Sequence, residues 1–231
     1  MAVICDRTKH HMVKRNRTYG ERGGFVHALI IAGMTGWVFA ASPVQAATRH
    51  LVAFGDSLSA GYLLAQPDAF PSVLEAALRK EGQDVEVANA AVSGDTTTAG
   101  LARIDWSIPD GTDGVLLELG ANDMLRGIDP KVTKQALADM IERLQARKIR
   151  ILLIGMKAAP SMGRAYVDAF EAIFPDLAKK YGLPFYPFFL DGIAMQPKLN
   201  LPDGMHPTPD GVRVIVANIL PSVTAFLQNA K

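Results

Sequence analysis

A serine, a histidine and a carboxylate suited to acyl transfer occur at separate points in the 231-residue chain. Ser57 stands in the run Gly-Asp-Ser-Leu at residues 55–58, and Asp203 precedes His206 by three positions. This spacing allows one loop to place the Asp203 carboxylate on the imidazole and to fix its orientation. A serine activated by such a histidine can attack an acyl carbonyl. These residues therefore predict a serine nucleophile and its general base.

Two further polar segments contain groups that can donate hydrogen bonds to a reacting oxygen. Gly94 stands in the run Ser-Gly-Asp-Thr at residues 93–96, and Asn122 follows Gly-Ala at residues 120–121. Each segment alone has an ordinary structural interpretation, because serine, aspartate and asparagine commonly cap helices or form turns. Together with the serine and the histidine, they complete the set of groups that acyl transfer requires.

Histidine and cysteine are scarce in the chain, which limits other kinds of chemistry. Cys5 is the only cysteine, and His50 and His206 are the only histidines after residue 46. Residues 47–231 therefore exclude a disulfide, a thiol nucleophile and the usual multi-histidine zinc sites. We expect no metal ion and no organic cofactor. Because His50 opens the first predicted strand, at its amino end, His206 is the candidate base.

Short apolar runs alternate with amphipathic stretches from residue 50 onward, a pattern typical of strands buried on both faces between helices. It predicts one α/β domain with a parallel sheet over residues 47–231. The predicted strands cover residues 51–54, 85–88, 115–119, 149–154 and, with a weaker signal, 185–189. Because Pro184 and Pro187 cannot donate to a strand ladder, the fifth strand is predicted at an edge of the sheet.

Five helices are predicted between and after these strands. They cover residues 70–80, 98–106, 130–147, 164–181 and 210–227. Gly82 suits the left-handed end of the first helix, and Asp129 followed by Pro130 suits the start of the third. Pro175 predicts that the fourth helix is kinked or divided in two.

The polar segments share a position relative to the predicted elements. Ligands of an open parallel sheet bind outside the carboxyl ends of its strands. Ser57, Gly94 and Asn122 follow the first three strands, and Asp203 and His206 precede the last helix. We therefore expect these residues to meet at one edge of the sheet.

The first 46 residues have the composition of a cleavable export signal. A basic stretch precedes an apolar run at residues 25–41, and small residues suit a cut after Ala46. A run of 17 residues interrupted by His27 falls short of the roughly 20 that a membrane-spanning helix needs. We predict cleavage rather than a permanent anchor, and a periplasmic or secreted protein. Lys14-Arg15 is not a twin arginine, which favours the general secretory route.

The charge of the chain argues against a nucleic-acid partner. The full chain has a formal net charge of +1, and residues 47–231 contain 18 basic and 21 acidic residues, a net charge of −3. They contain no basic stripe and no Lys/Arg cluster interleaved with aromatic residues, the features typical of nucleic-acid binders. We expect no nucleic-acid partner and no stable membrane span after cleavage. The sequence carries no signal for an oligomeric state.

The polar segments resemble the four sequence blocks of the SGNH, or GDSL, hydrolase family, which is named for its serine, glycine, asparagine and histidine. The matching residues are Phe-Gly-Asp-Ser-Leu-Ser at 54–59, Gly94, Gly-Ala-Asn-Asp at 120–123, and Asp-Gly-Met-His-Pro at 203–207. Four matches in the family's order cover the whole of residues 47–231. We therefore expect a member of this family.

Longer stretches resemble one branch of the family, the periplasmic enzymes called thioesterase I, lysophospholipase or arylesterase. These stretches are residues 89–96, 100–103 and 117–127. The resemblance implies a three-layer α/β/α sandwich with a five-stranded parallel sheet of flavodoxin-like topology. It also implies hydrolysis of small-molecule esters and thioesters, including lipid-derived ones, with Ser57 as nucleophile, His206 as base and Asp203 as its partner. The implied oxyanion donors are the backbone N–H groups of Ser57 and Gly94 and the side-chain amide of Asn122.

Several assignments stay open at the level of sequence. Met124 and Met162 are candidates for contact with the acyl group, because flexible thioethers suit varied ligands, although they can equally fill gaps beneath loops. Asp56 and Asp123 are interpreted as structural, since the spacing of the later Asp-x-x-His suits the triad better. Two alternative functions are deacetylation of a polysaccharide by the same family and a non-enzymatic flavodoxin-like module that holds an anion at residues 93–96.

Overall fold

The sheet of this protein has five parallel strands in the order β2-β1-β3-β4-β5. The computed structural model describes residues 47–229, and the predicted signal segment, residues 1–46, lies outside them. The strands are β1 Arg49–Phe54, β2 Val85–Asn89, β3 Gly114–Glu118, β4 Arg150–Ile154 and β5 Phe185–Tyr186. This order is that of flavodoxin-like sheets, in which β1 lies between β2 and β3. The predicted fold class is confirmed.

Helices cover both faces of the sheet. They are α1 Ser57–Ala60, α2 Phe70–Lys80, α3 Thr97–Ser107, α4 Ala121–Leu125, α5 Pro130–Ala146, α6 Arg164–Glu171, α7 Ile173–Tyr181 and α8 Pro209–Gln228, with short 3-10 turns at Gln66–Asp68 and Pro160–Met162. Helix α2 packs with α8, whereas α5 packs with α3 and α7. Every residue of β3 is buried, because side chains on both faces of this central strand lie under helices. The result is a three-layer α/β/α sandwich.

Local sequence signals account for where several helices begin and divide. The Asp129 side chain accepts the backbone N–H of Lys131 at 2.9 Å, and Pro130 occupies the first helical position of α5. The predicted helix 164–181 is divided in two at Ala172, and Pro175 lies in the first turn of α7. The missing N–H of a proline is tolerated in a first turn.

The fifth strand is shorter than predicted. It pairs with β4 over two residues at the edge of the sheet, so the predicted edge position is confirmed and the predicted range 185–189 is wrong. Pro187 has no N–H to continue a ladder. The chain turns away after it, and the Phe189 N–H donates to the Gly155 carbonyl at 3.0 Å.

Helix α8 is the one helix in residues 47–229 with the length and hydropathy of a membrane span. Its apolar face is buried in the core, where Val212, Ile215 and Ile219 are inaccessible to solvent. The Phe226 ring contacts Gly114 of β3 so closely that a methyl group there would lie 2.7 Å from it. A core helix has the same composition as a span, and these contacts explain the apolar sequence of α8.

Candidate active site

Three predicted residues form a continuous hydrogen-bonded series at the carboxyl edge of the sheet. Ser57 follows β1, and its Oγ lies 2.9 Å from Nε2 of His206. On the other side of the imidazole, Nδ1 lies 2.8 Å from Oδ2 of Asp203. This geometry lets Nε2 accept the Ser57 proton while the carboxylate accepts the N–H at Nδ1.

Helix α1 fixes the position of Ser57. The Asp56 side chain caps this helix by accepting the Leu58 N–H at 3.0 Å, and Gly61 ends it with a φ of 82°. As the first helical residue, Ser57 has a backbone N–H without an intrahelical acceptor. Among residues 47–229 this N–H has no hydrogen-bond partner, so it is free to bind an oxyanion.

The loop before α8 holds the histidine and its carboxylate together. Oδ1 of Asp203 accepts the backbone N–H groups of Met205 and His206 at 2.9 and 3.0 Å. The loop is closed by the Leu201 N–H, which donates to the His206 carbonyl at 2.7 Å. The backbone hydrogen bonds from His206 and Met205, and then the imidazole bond, lower the pKa of Asp203 to about 2. Asp203 is therefore a carboxylate at neutral pH.

Tyr62 packs against the imidazole, a contact that the sequence did not reveal. Its ring centroid lies 4.4 Å from that of His206, with the planes tilted by 37°. The left-handed Gly61 reverses the chain after α1, and the Tyr62 N–H donates to the Ser57 carbonyl at 3.2 Å. Tyr62 thus contacts both the candidate nucleophile and the candidate base.

Gly94 and Asn122 lie in the segments that follow β2 and β3, the two strands that flank β1 in the sheet. Asn122 lies in the first turn of α4, and its Nδ2 donates to Oδ2 of Asp56 at 3.1 Å. An amide nitrogen carries two hydrogens, so one remains for a ligand. Gly94 has a φ of 87°, and its carbonyl accepts Nη2 of Arg126 at 2.8 Å.

Arg103 links the turns that follow β1 and β2. It is 6% exposed, and its Nε lies 2.6 Å from Oδ2 of Asp95 in the turn after β2. Its Nη1 donates to the Ala90 carbonyl at 2.6 Å, and its Nη2 donates to the Gly55 carbonyl at 3.2 Å. Nothing in a single sequence marks Arg103 as buried, because arginine rarely is unless paired.

Asp123 joins three helices, in agreement with its interpretation as structural. Its carboxylate accepts the Thr97 N–H at 2.8 Å, the Thr97 hydroxyl at 2.5 Å and the Thr133 hydroxyl at 3.0 Å. Thr97 begins α3 and Thr133 lies in α5. Asp123 therefore anchors the helix that carries Asn122.

An apolar groove of about 410 Å³ begins at the serine and the histidine. We call it the acyl groove. Its polar members include Ser57, Asn122 and His206, and its large apolar members are Leu58, Met124, Leu125, Met156, Phe188, Leu190, Met195 and Met205. Met162 is not among its lining residues, and its methyl group instead lies beside Gly127. Of the two methionines singled out from the sequence, only Met124 lines the acyl groove.

A larger cavity of about 810 Å³ lies at the amino end of β4. It is lined by residues such as Arg150, Leu183 and Phe226 and includes neither the serine nor the histidine. Residues 47–229 contain no group of three or more His, Asp or Glu arranged to hold a metal ion. Of these two cavities, the acyl groove is the one that adjoins Ser57 and His206.

The fold and the site together define the class of the protein, an α/β ester hydrolase with serine, histidine and aspartate hydrogen-bonded in series. The family comparison agrees with this class, since the sequence profile of the GDSL-like Lipase/Acylhydrolase family matches residues 53–214. The chain belongs to this family, the SGNH hydrolases. The alternative of a non-enzymatic binding module is therefore wrong.

Known proteins similar to this chain carry matching activities in their names. An arylesterase of Vibrio mimicus is 40% identical over 74% of this chain and 86% of its own. Thioesterase 1/protease 1/lysophospholipase L1 of Escherichia coli K12 is 39% identical over 71% of this chain and 78% of its own. The crystal structure of the psychrotrophic esterase EstA from Pseudoalteromonas sp., inhibited by monoethylphosphonate, has a TM-score of 0.74 and 28% identity, and covers 78% of this chain and 100% of that one.

Proposed function

We propose that this protein is an exported serine hydrolase that cleaves carboxylic esters and thioesters through an acyl-enzyme on Ser57. The observation that carries the proposal is the series of 2.9 and 2.8 Å contacts from Ser57 through His206 to Asp203. The names of the similar proteins, an arylesterase and a thioesterase with lysophospholipase activity, support this substrate range.

The reaction proceeds in two halves. Nε2 of His206 takes the proton of Ser57 as Oγ attacks the acyl carbonyl, and Asp203 stabilises the imidazolium that forms. When the tetrahedral intermediate collapses, the imidazolium gives this proton to the departing alcohol or thiol, which leaves an acyl group on Oγ. Water then attacks the acyl-enzyme, with His206 again as base, and releases the acid and free Ser57.

Three donors stabilise the negative oxygen that develops in both halves. They are the backbone N–H groups of Ser57 and Gly94 and the free N–H of the Asn122 amide. Such donors stabilise the transition state more than the ground state, and removal of one typically costs about 100- to 1,000-fold in rate. No metal ion is required, since all groups for proton transfer and charge stabilisation belong to the chain.

The acyl groove binds the acyl part of the substrate. Its methionines are flexible and polarizable, which suits a small-molecule ester or thioester with a varied acyl chain, including one derived from a lipid. Of the two methionines selected from the sequence, Met124 is the one proposed to contact the acyl group. A panel of short and long acyl chains, each as oxygen ester and thioester, measures this range.

The activity experiment compares two serine variants on p-nitrophenyl acetate. Ser57→Ala lowers kcat by more than about 10,000-fold, because nucleophile and base act as one unit. Ser161→Ala is the matched control, since Ser161 is exposed in the turn Pro160–Met162, and its kcat equals that of the parent. An active Ser57→Ala enzyme would contradict the proposal.

Export is proposed from residues 1–46, with a mature domain at 47–231. The supporting feature is the sequence of a basic stretch, an apolar run and small residues before Ala46. N-terminal sequencing of the exported protein is expected to begin at Ala47. A mature chain that starts before residue 25 would refute the assignment.

A further inference from the structure

Two buried carboxyl groups lie directly beneath the candidate nucleophile, and the mechanism above uses neither. Asp56 precedes Ser57, and Glu118 is the last residue of β3; their exposed fractions are 0% and 1%. In residues 47–229 neither forms an ion pair with a lysine or an arginine. Buried carboxyl groups without such partners are uncommon.

Glu118 contacts the turn that carries the nucleophile. Its Oε2 accepts the Ser59 hydroxyl at 2.8 Å, and the backbone N–H of Asp56 also bonds to its carboxyl group. A methyl group on Gly55 would lie 2.6 Å from Oε2, so the carboxyl packs against bare backbone. Its Oε1 has no hydrogen-bond partner in the described part of the chain.

Both carboxyl oxygens of Asp56 accept a hydrogen bond, whereas Oε1 of Glu118 accepts none in the described part of the chain. Oδ1 accepts the Leu58 N–H at 3.0 Å, and Oδ2 accepts Nδ2 of Asn122 at 3.1 Å. Hydrogen bonds to the charged form of a carboxyl favour that form. Asp56 is therefore the better carboxylate of the two.

The surroundings permit one negative charge at this position. Burial, and then the charge of Asp56, raise the pKa of Glu118 well above its usual range. Burial is the largest influence on Asp56 and raises its pKa to about 6. The hydrogen bonds from Leu58 and Asn122 and the proximity of His206 lower this pKa, whereas the charge of Asp123 raises it. Arg103 faces the same turn, but its Nη2 binds the Gly55 carbonyl. Two adjacent buried carboxyl groups do not both ionise readily.

We propose that Glu118 is a positioning residue that acts as a neutral carboxylic acid, holding the nucleophile turn while Asp56 carries the charge that orients the Asn122 amide. One N–H of Asn122 is committed to the Asp56 carboxylate, which directs the other toward the oxyanion. An ionised Glu118 would favour protonation of Asp56 and weaken this hold. The proposal rests on the function proposed above, in which Asn122 binds the oxyanion.

The test uses two substitutions at Glu118 that differ in polarity. Glu118→Gln keeps an acceptor oxygen for Ser59 and Asp56 without a charge, so its kcat is expected close to that of the parent. Glu118→Leu removes the acceptor, and kcat falls about 10- to 100-fold because a small displacement of reacting groups has effects of this size. KM changes little, because the acyl groove is intact.

A matched control comes from a carboxylate outside the site. Glu75 accepts the Val87 N–H at 2.8 Å and pairs with Arg79, so its carboxylate also binds the backbone of a strand, in the middle of β2. Glu75→Gln and Glu75→Leu are expected to keep the parent's kcat. Combining Glu118→Leu with Asn122→Ala gives a smaller loss than the product of the single losses, because both act on one oxyanion donor.

Infrared spectroscopy reads the protonation state without reference to activity. The C=O stretch of a protonated carboxyl is expected in the parent at neutral pH and is expected to be absent in Glu118→Gln. This comparison does not use Glu118→Leu, so it tests the proposal even if that variant does not fold. An absent band in the parent, or a Glu118→Gln enzyme as slow as Glu118→Leu, overturns the proposal. If Ser57→Ala is inactive in the same assays, either of these results overturns only the role of Glu118 and leaves the proposed serine hydrolase function intact. An active Ser57→Ala enzyme would instead contradict the proposed function.

Discussion

The carboxylate of Asp203 has two tasks in the loop before α8. Oδ2 binds the imidazole, while Oδ1 accepts two backbone N–H groups and shapes the loop. Because these bonds hold its pKa at about 2, Asp203 keeps its charge at mildly acidic pH. In the proposed mechanism, the negative charge of Asp203 and its bond to Nδ1 are therefore both available when His206 becomes an imidazolium.

Replacement of Asp203 by asparagine tests this assignment. Asp203→Asn lowers kcat by about 10,000-fold, the loss typical of a triad whose histidine is held in the wrong tautomer. Steady-state kinetics on p-nitrophenyl acetate measures it. Asp210→Asn is the control, because Asp210 is exposed and pairs with Arg213 on α8. An Asp203→Asn enzyme with the kcat of the parent would remove Asp203 from the proposed triad.

Asp56 gives the fold an unusual dependence on pH. Its pKa rises to about 6 in the folded protein, chiefly through burial, from 3.8. A raised carboxyl pKa means that the folded state binds more protons than the unfolded state between about pH 4 and 6. The free energy of unfolding from this group therefore falls as pH rises through that window, by up to about 3 kcal/mol. Urea unfolding from pH 4 to pH 7 measures this as a smaller slope in Asp56→Asn than in the parent, since the raised pKa of Glu118 contributes to the slope in both proteins. The same slope in both proteins would contradict it.

Tyr62 supports the imidazole by contact with its face. An aromatic ring near a cation stabilises it by about 1 kcal/mol, so Tyr62→Ala is expected to lower kcat roughly fivefold. Tyr62→Phe keeps the ring and the parent's kcat. Trp106→Ala, at an exposed position in α3, is the control. Equal kcat values for Tyr62→Ala and the parent would show that the contact has no catalytic effect.

At the scale of elements, Arg103 of α3 links the turns after β1 and β2. Lysine cannot reproduce several fixed hydrogen bonds from a planar group, so Arg103→Lys should leave buried acceptors unpaired. We expect a loss of about 3 kcal/mol in the free energy of unfolding together with a lower kcat. Urea unfolding and kinetics measure both. Arg143→Lys, in an exposed pair with Asp105, is expected to change stability by less than about 1 kcal/mol. Equal effects of the two substitutions would contradict this role.

The longer elements could be predicted from sequence, whereas the short ones at the site could not. Strands β1, β3 and β4 contain continuous apolar runs, and β2 begins with the alternation Val-Glu-Val. Helices α2, α5 and α8 have helical periodicity with recognisable ends. Helices α1 and α4 have four and five residues, too few to show a period. Their positions depend on contacts across the chain, such as the bond between Asn122 and Asp56.

At the scale of the whole molecule, sequence patterns predicted the candidate nucleophile, base and carboxylate but not the residues that support them. Ser57, Asp203 and His206 stand in recognisable runs, and strand order follows from the family resemblance. Glu118, by contrast, lies within the predicted strand 115–119 and has no separate signal, because only the packed structure shows that it is buried beneath Gly55. Tyr62 meets His206 through the folding of distant segments onto one another.

The proposed acyl-enzyme requires one serine to be far more nucleophilic than all others in the molecule. A fluorophosphonate reacts with such a serine, and intact-mass and peptide mass spectrometry locate the product. The parent protein and Ser161→Ala are predicted to gain one adduct, on Ser57, whereas Ser57→Ala gains none. A Ser57→Ala protein labelled like the parent, or an adduct on another serine, would contradict the assignment of Ser57 as the nucleophile.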